Sequence, residues 1–196
     1  MTKDKIKAIA LSLFAKNGYE GTSLAEIAKG VGIQKPSIYN HFKSKEELFL
    51  SIFETILWEH VRYMEQLIEE MEGLSAEKKL YHMLYATFQY YIDNEEKSAF
   101  LKRSMIFPPE PLKELISDKF LLSEEALSTI LRIIFIKGIE NGELCDKNIE
   151  DLVISYYCLI DGIFIELSYY GKEKMEPRIQ NIWDNFWFGV KSDGVS

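Results

Sequence analysis

Apolar residues recur at intervals of three and four along almost the whole chain, and no run of β-branched residues alternates with a period of two. That periodicity places apolar side chains on one face of successive helices and leaves no segment suited to a sheet. Ile6, Ile9, Ala10, Leu13 and Phe14 share such a face, and Gly18 follows as a stop. Ser23-x-x-Glu26 matches a capping box, Leu24, Ile27, Ala28 and Val31 form the stripe behind it, and Gly32 closes that helix. Pro36 suits the first turn of a third helix, where its missing N–H is no loss. Ser44-x-x-Glu47 opens a long fourth helix, predicted from about residue 45 to about residue 72. Further helices are predicted at 76–93, 97–106, 112–120, 123–141, 149–170 and 177–190, with Phe107-Pro108-Pro109, Gly142 and Gly171 as breaks. The fold class is all-α.

Composition matters once the halves are compared. The 196 residues are 47% hydrophobic and 28% charged, enough for a real core in one domain or two small ones. A net charge of -8 argues, taken whole, against nucleic acid. Residues 1–50 depart from that average, with eight lysines against five acids, and the remainder carries -11. A basic head on an acidic body implies two jobs in one chain. Cys145 and Cys158 are too few for a disulfide scaffold, suit a reducing cytoplasm, and read as small core residues. The apolar positions of the first nineteen residues are interrupted by Lys and Asn, unlike a signal peptide. The densest apolar stretch, 152–167, contains Asp161 and Glu166 and is short for a bilayer. The expectation is a soluble, cytoplasmic protein with no membrane partner.

Two short helices joined by a tight turn, at about 23–42, have the layout of a helix-turn-helix, whose second helix enters the DNA major groove. Ile38 and Phe42 point inward on that helix, here expected to run about two turns. Its outward positions are then Gln34, Lys35, Ser37, Tyr39, Asn40 and His41, all able to hydrogen-bond and none acidic. The helix starts at Ser23 and Lys45 offer N–H groups to phosphate oxygens.

In these residues the chain resembles the TetR family of bacterial transcriptional regulators. The matching stretches are Ala8-x-x-Leu11-x-x-Phe14-x-x-x-Gly18-Tyr19, Thr22-Ser23-x-x-x-Ile27-Ala28-x-x-x-Gly32-Ile33 and Ile38-Tyr39-x-His41-Phe42-x-Ser44-Lys45-Glu46-Glu47-Leu48. Beyond about residue 50 only the length, the helical pattern and the phrase Gly138-Ile139-Glu140-Asn141-Gly142-Glu143-Leu144 are similar. The resemblance implies a DNA-binding domain at 1–48, linked by the long fourth helix to an effector-binding and dimerisation domain at 49–196. It implies a homodimer, a repressor on a palindromic double-stranded operator, released when a small hydrophobic effector fills the larger domain. By the motif match Thr22, Tyr39 and Lys45 would touch phosphates, and Gln34, Lys35, Ser37 and Asn40 would lie nearest base edges. Gln34 departs from the pattern, since a small hydroxyl residue often caps this helix.

The acidic body supplies the remaining candidates. The predicted helix at 149–170 is apolar nearly all round, and the last helix carries a wide stripe, so the pair would bury itself against a copy. Ile163, Leu167, Ile179, Trp183, Phe186 and Val190 are the expected dimer interface. Aromatic residues crowd the middle, and Phe88, Tyr91, Phe107, Tyr157 and Asp161 are the candidate effector contacts. Asp161, a charge within an apolar helix, would favour a cationic effector if it faces an aromatic cavity, with Arg103 as an alternative counter-ion; a neutral hydrophobic or acyl effector is the other reading. There are no catalytic constellation, no metal-ligand spacing and no cofactor motif in the sequence; the one expected small molecule is the unknown effector. The alternative reading is a dimeric helical adaptor whose head contacts a protein.

Overall fold

The computed structural model describes residues 2–192. Among them eight α-helices follow one another: α1 (Thr2–Asn17), α2 (Leu24–Val31), α3 (Lys35–Ile38), α4 (Lys45–Glu70), α5 (Ala76–Asp93), α6 (Glu95–Ile106), α7 (Lys113–Glu140) and α8 (Ile149–Val190). A single 3-10 turn, Glu110–Leu112, leads into α7. The chain divides into two compact units. One comprises residues up to His60 together with Asn94–Glu124, and the other Val61–Asp93 with the chain from Glu125 onward.

The first unit is knit by aromatic rings. Phe14 of α1 lies 5.0 Å, centroid to centroid, from Phe49 of α4, and Phe49 lies 4.9 Å from Phe100 of α6. All three are buried, and each such side chain contributes about 1.5–3 kcal/mol relative to an exposed one. Lys7 adds a polar tie, its Nζ donating to Thr55 Oγ1 at 2.9 Å and to the Ser51 carbonyl at 3.3 Å. The compact unit around the head therefore runs past the expected border at residue 48, because Phe100 completes its core.

In the second unit Tyr156 is fully buried and its hydroxyl donates to the Leu80 carbonyl at 2.6 Å, joining α8 to α5. Phe88, Phe135, Ile163, Ile179, Trp183 and Trp187 surround it as core. Trp183 and Trp187 stack with centroids 5.7 Å apart, and Tyr81 of α5 meets Trp183 at 5.6 Å. A short clasp closes this unit. Gly138 lies so close to Leu144 and Ala76 that an added Cβ would come within 2.6 and 2.8 Å of them. Glu143 Oε2 accepts the Ala76 N–H at 2.8 Å, the Cys145 N–H donates to the Val190 carbonyl at 2.9 Å, and the Ser192 N–H donates to the Glu143 carbonyl at 3.0 Å.

Several expectations are corrected. The helices predicted at 112–120 and 123–141 are one, α7, because Ser123 sends its hydroxyl back to the Phe120 carbonyl at 2.8 Å and needs no loop. The predicted break at Gly171 is present, its φ 70° and ψ 172° dividing α8 into two arms; only the start of the second differs from the predicted 177. Helix resumes before Pro177, which lies inside the second arm. By composition α8 is long and apolar enough to span a membrane, but this break interrupts it. Cys145 is half-buried, whereas Cys158 is exposed rather than core.

The stripe assigned to the dimer seam is mostly interior to one chain. Ile163, Ile179, Trp183 and Val190 are 6% exposed or less, and Leu167 and Phe186 pack against the same core. The periodicity marks the apolar face correctly; α5 packs along α8, with Tyr81 against Trp183.

Candidate nucleic-acid interface

The helix-turn-helix is built by local hydrogen bonds. Ser23 Oγ accepts the Glu26 N–H at 3.2 Å and Glu26 Oε2 accepts the Ser23 N–H at 2.8 Å, a complete capping box. The Ser23 hydroxyl also donates to Glu26 Oε2 at 2.8 Å, and that bond, followed by the one from the Ser23 N–H, holds the Glu26 carboxyl below its ordinary range. At the other end Gly32 takes φ 81°, and the Ile33 N–H donates back to the Ala28 carbonyl at 3.0 Å. That left-handed close turns the chain sharply into α3. The second box is altered: the Glu47 N–H donates to Ser44 Oγ at 3.1 Å, while Glu47 Oε2 reaches one residue further to the Lys43 N–H.

The reading helix is shorter than the two turns expected. α3 is one turn, continued by turn bonds from the His41 N–H to the Ile38 carbonyl at 2.9 Å and from the Phe42 N–H to the same carbonyl at 3.0 Å. Gln34 makes no side-chain cap bond, so the start of this short helix is unsupported, while Pro36 sits in the first turn where its missing N–H costs nothing. Ile38 and Phe42, both buried, anchor the segment. Gln34, Lys35, Tyr39 and Asn40 are exposed, with Ser37 and His41 half-exposed. The exposed face from residue 34 to 41 contains no carboxylate. The uncapped Gln34 amide is not spent on the helix end.

Two proposed phosphate contacts have inward partners. Thr22 is 2% exposed, and its hydroxyl donates to the Gly18 carbonyl at 2.9 Å and the Leu13 carbonyl at 3.2 Å. Lys45 Nζ donates to the carbonyls of Tyr19 and Thr22 at 2.9 and 3.2 Å. Both residues thus fix the loop between α1 and α2. The interface also gains cations that the spacing of the motif did not single out. Lys3 sits 5.3 Å over the Phe42 ring, and Lys43 is exposed immediately after it. Their only signal in the sequence was the excess of lysine in the head.

The candidate effector residues are not gathered in one place. Phe107 belongs to the first unit and is 77% exposed; the other four belong to the second. Phe88 is fully buried core. Tyr91 and Phe164 pack at 4.4 Å, and burial, then the nearby Asp161 charge, raises the Tyr91 phenol above its usual range. Tyr157 shares a hydrogen bond with Ser128 at 3.0 Å. Asp161 is exposed as a residue, yet partial enclosure of its carboxyl raises its pKa. Arg103 is no counter-ion to it: its guanidinium donates to the Lys16 and Ala15 carbonyls at 3.0 and 3.3 Å. Among the described residues no group of three His, Cys, Asp or Glu could hold a metal ion.

Residues 6–52 match the family model of bacterial regulatory proteins, tetR family. The chain is 34% identical over 183 residues to the HTH-type transcriptional regulator QacR of Staphylococcus aureus, covering 91% of this chain and 90% of that one. It is 31% identical over 114 residues to IcaR of Staphylococcus epidermidis, the negative transcriptional regulator of a biofilm operon, covering 58% of each chain. Its fold is similar to that of the transcriptional regulator FadR of Bacillus subtilis, solved with stearoyl-CoA, with a TM-score of 0.79 at 19% identity over 95% of this chain and 98% of that one. These relatives are regulators and not enzymes. With its helix-turn-helix reader and an all-helical body, the chain belongs to the tetR family of bacterial regulatory proteins and is a transcriptional regulator.

Proposed function

We propose that this regulator is a repressor that binds a palindromic operator as a homodimer in the bacterial cytoplasm and leaves it when a small hydrophobic effector binds the second unit. The carboxylate-free, hydrogen-bonding face from Gln34 to His41 carries the DNA reading, since an acidic group there would meet phosphate repulsion. Lys35 with Gln34, Ser37 and Asn40 reads base edges; Tyr39, Lys43 and the N–H groups behind Ser23 hold phosphates.

The dimer reading rests on the first arm of α8. Ile154, Cys158, Gly162, Ile165 and Tyr169 fall on one helical face, and all but the half-buried Ile165 are exposed. An apolar stripe of that length is unusual on a monomer surface. A Cβ on Gly162 would meet nothing within 4 Å, so its own chain gives no reason for a glycine there. Close approach of a second α8 does. This face replaces Trp183 and its neighbours as the proposed seam.

The effector region is proposed around Tyr91, Tyr157 and Asp161. Half-buried phenols beside a partly enclosed carboxylate favour a lipophilic cation. Selection of genomic fragments by the purified protein tests the function. Enrichment of a sequence with two-fold symmetry, lost on adding an effector that raises the melting temperature, supports it. Failure to retain any fragment, even at low salt, would leave the adaptor reading in its place.

A further inference from the structure

The first unit contains a cavity of about 430 Å3 that the DNA reader does not use. That volume suits a small organic molecule. Its apolar wall includes Tyr19, Phe49, Phe100 and Phe107, and Phe107 leaves most of its ring exposed. Two helices end at this cavity: α1 at Asn17 and Gly18, and α6 at Ser104 and Phe107. Helix C-termini carry unpaired carbonyls and partial negative charge, so they attract cations. One cation already exploits this. Arg103, the basic residue of the last turn of α6, sends its guanidinium across to the carbonyls of Ala15 and Lys16. The end of α1 is thereby neutralised and the end of α6 loses its own basic residue. The remaining charges in the wall are two exposed carboxylates, Glu20 and Glu110.

We propose that this cavity is a second small-molecule site, in the head unit, for a planar aromatic cation. The ring of such a molecule meets Phe107 and Tyr19, and its positive group meets Glu20, Glu110 and the carbonyl end of α6. Cation and aromatic ring attract each other in addition to burial. An occupant touches the segment from Asn17 to Tyr19. The Gly18 carbonyl of that segment holds the Thr22 hydroxyl, and the Tyr19 carbonyl holds Lys45. Binding there acts on the loop that starts the reader, independently of the effector region of the second unit.

The test is a fluorescence titration of the full chain with two tricyclic probes, N-methylacridinium and 9-anthracenecarboxylate. Phe107→Ala and Glu110→Gln change exposed side chains, and melting curves check that each variant is folded. Each is expected to weaken one N-methylacridinium site about ten-fold, a change of about 1.4 kcal/mol, and the pair Glu20→Gln with Glu110→Gln to weaken it further. Tyr157→Phe is expected to leave this site unchanged, which separates it from any site in the second unit. Identical N-methylacridinium curves for wild type and all head variants would overturn the proposal. So would a 9-anthracenecarboxylate site that disappears in Arg103→Gln, since the cavity would then select anions.

Discussion

Lys45 Nζ lies 2.9 Å from the Tyr19 carbonyl oxygen and 4.0 Å from the centre of the Tyr19 ring. The first residue of α4 therefore clamps the loop that precedes α2. Lys45→Ala removes two charge-assisted bonds and a cation–ring contact. It is expected to lower the stability by about 2 kcal/mol, since bonds to a charged group are worth about 1.5–3 kcal/mol. A chemical denaturation curve reads this. A variant as stable as wild type, with weakened binding to operator and random DNA alike, would make Lys45 a phosphate contact only.

Lys35 is exposed at the start of α3, with no inward partner among the contacts described. Lys35→Ala is expected to cost about 1–3 kcal/mol on the operator and to relax preference at one base pair per half-site. Titration of operator variants at two salt concentrations checks this. A uniform loss over all variants would reassign base reading to Gln34, Ser37 or Asn40.

Trp183 and Tyr169 separate core from seam. Trp183 is 3% exposed in one chain and Tyr169 is 80% exposed. Trp183→Glu buries an unpaired charge and is expected to unfold the second unit, at a cost of several kcal/mol. Tyr169→Glu and Ile154→Glu are expected to give folded monomers with much weaker operator binding. Light scattering and circular dichroism together decide; a clean dimer in both of the latter variants excludes the Ile154–Tyr169 face.

His60 gives the stability an acid limb. Burial lowers its pKa from 6.5 to about 4, so the folded chain holds the ring neutral where the unfolded chain takes a proton. Above pH 6.5 neither state is protonated and the effect is absent. As the pH falls from 6.5 to 4 the unfolded state gains, by up to about 3 kcal/mol from this group. His60→Gln is expected to flatten that part of the profile while leaving carboxylate titration in place. Parallel profiles for wild type and variant between pH 6.5 and 4 would contradict it.

The features legible in the sequence are those fixed by spacing within one helix. Ser23 and Glu26 must meet when residues 24–31 coil, and Gly32 must follow them. The unread features depend on what covers a face. Trp183 lies on an apolar stripe whether a second chain or α5 covers it, and the sequence alone does not distinguish the two. Phe107 is aromatic like the other effector candidates, but it follows α6, which Phe100 anchors in the first unit. The boundary predicted between residues 120 and 123 is absent because Ser123 bonds back to Phe120, a contact visible only in three dimensions. Thr22 and Lys45 matched a motif whose spacing is served equally well by inward bonds.

The clasp around Gly138, Glu143 and Leu144 gives the likeness in the second half of the chain a specific meaning. This phrase joins the end of α7, the start of α5 and the end of α8, with no room for a methyl group at Gly138. It is a mechanical joint, remote in purpose from recognition. Three helix ends are thus fastened through one short turn, at residues other than those proposed to meet the effector.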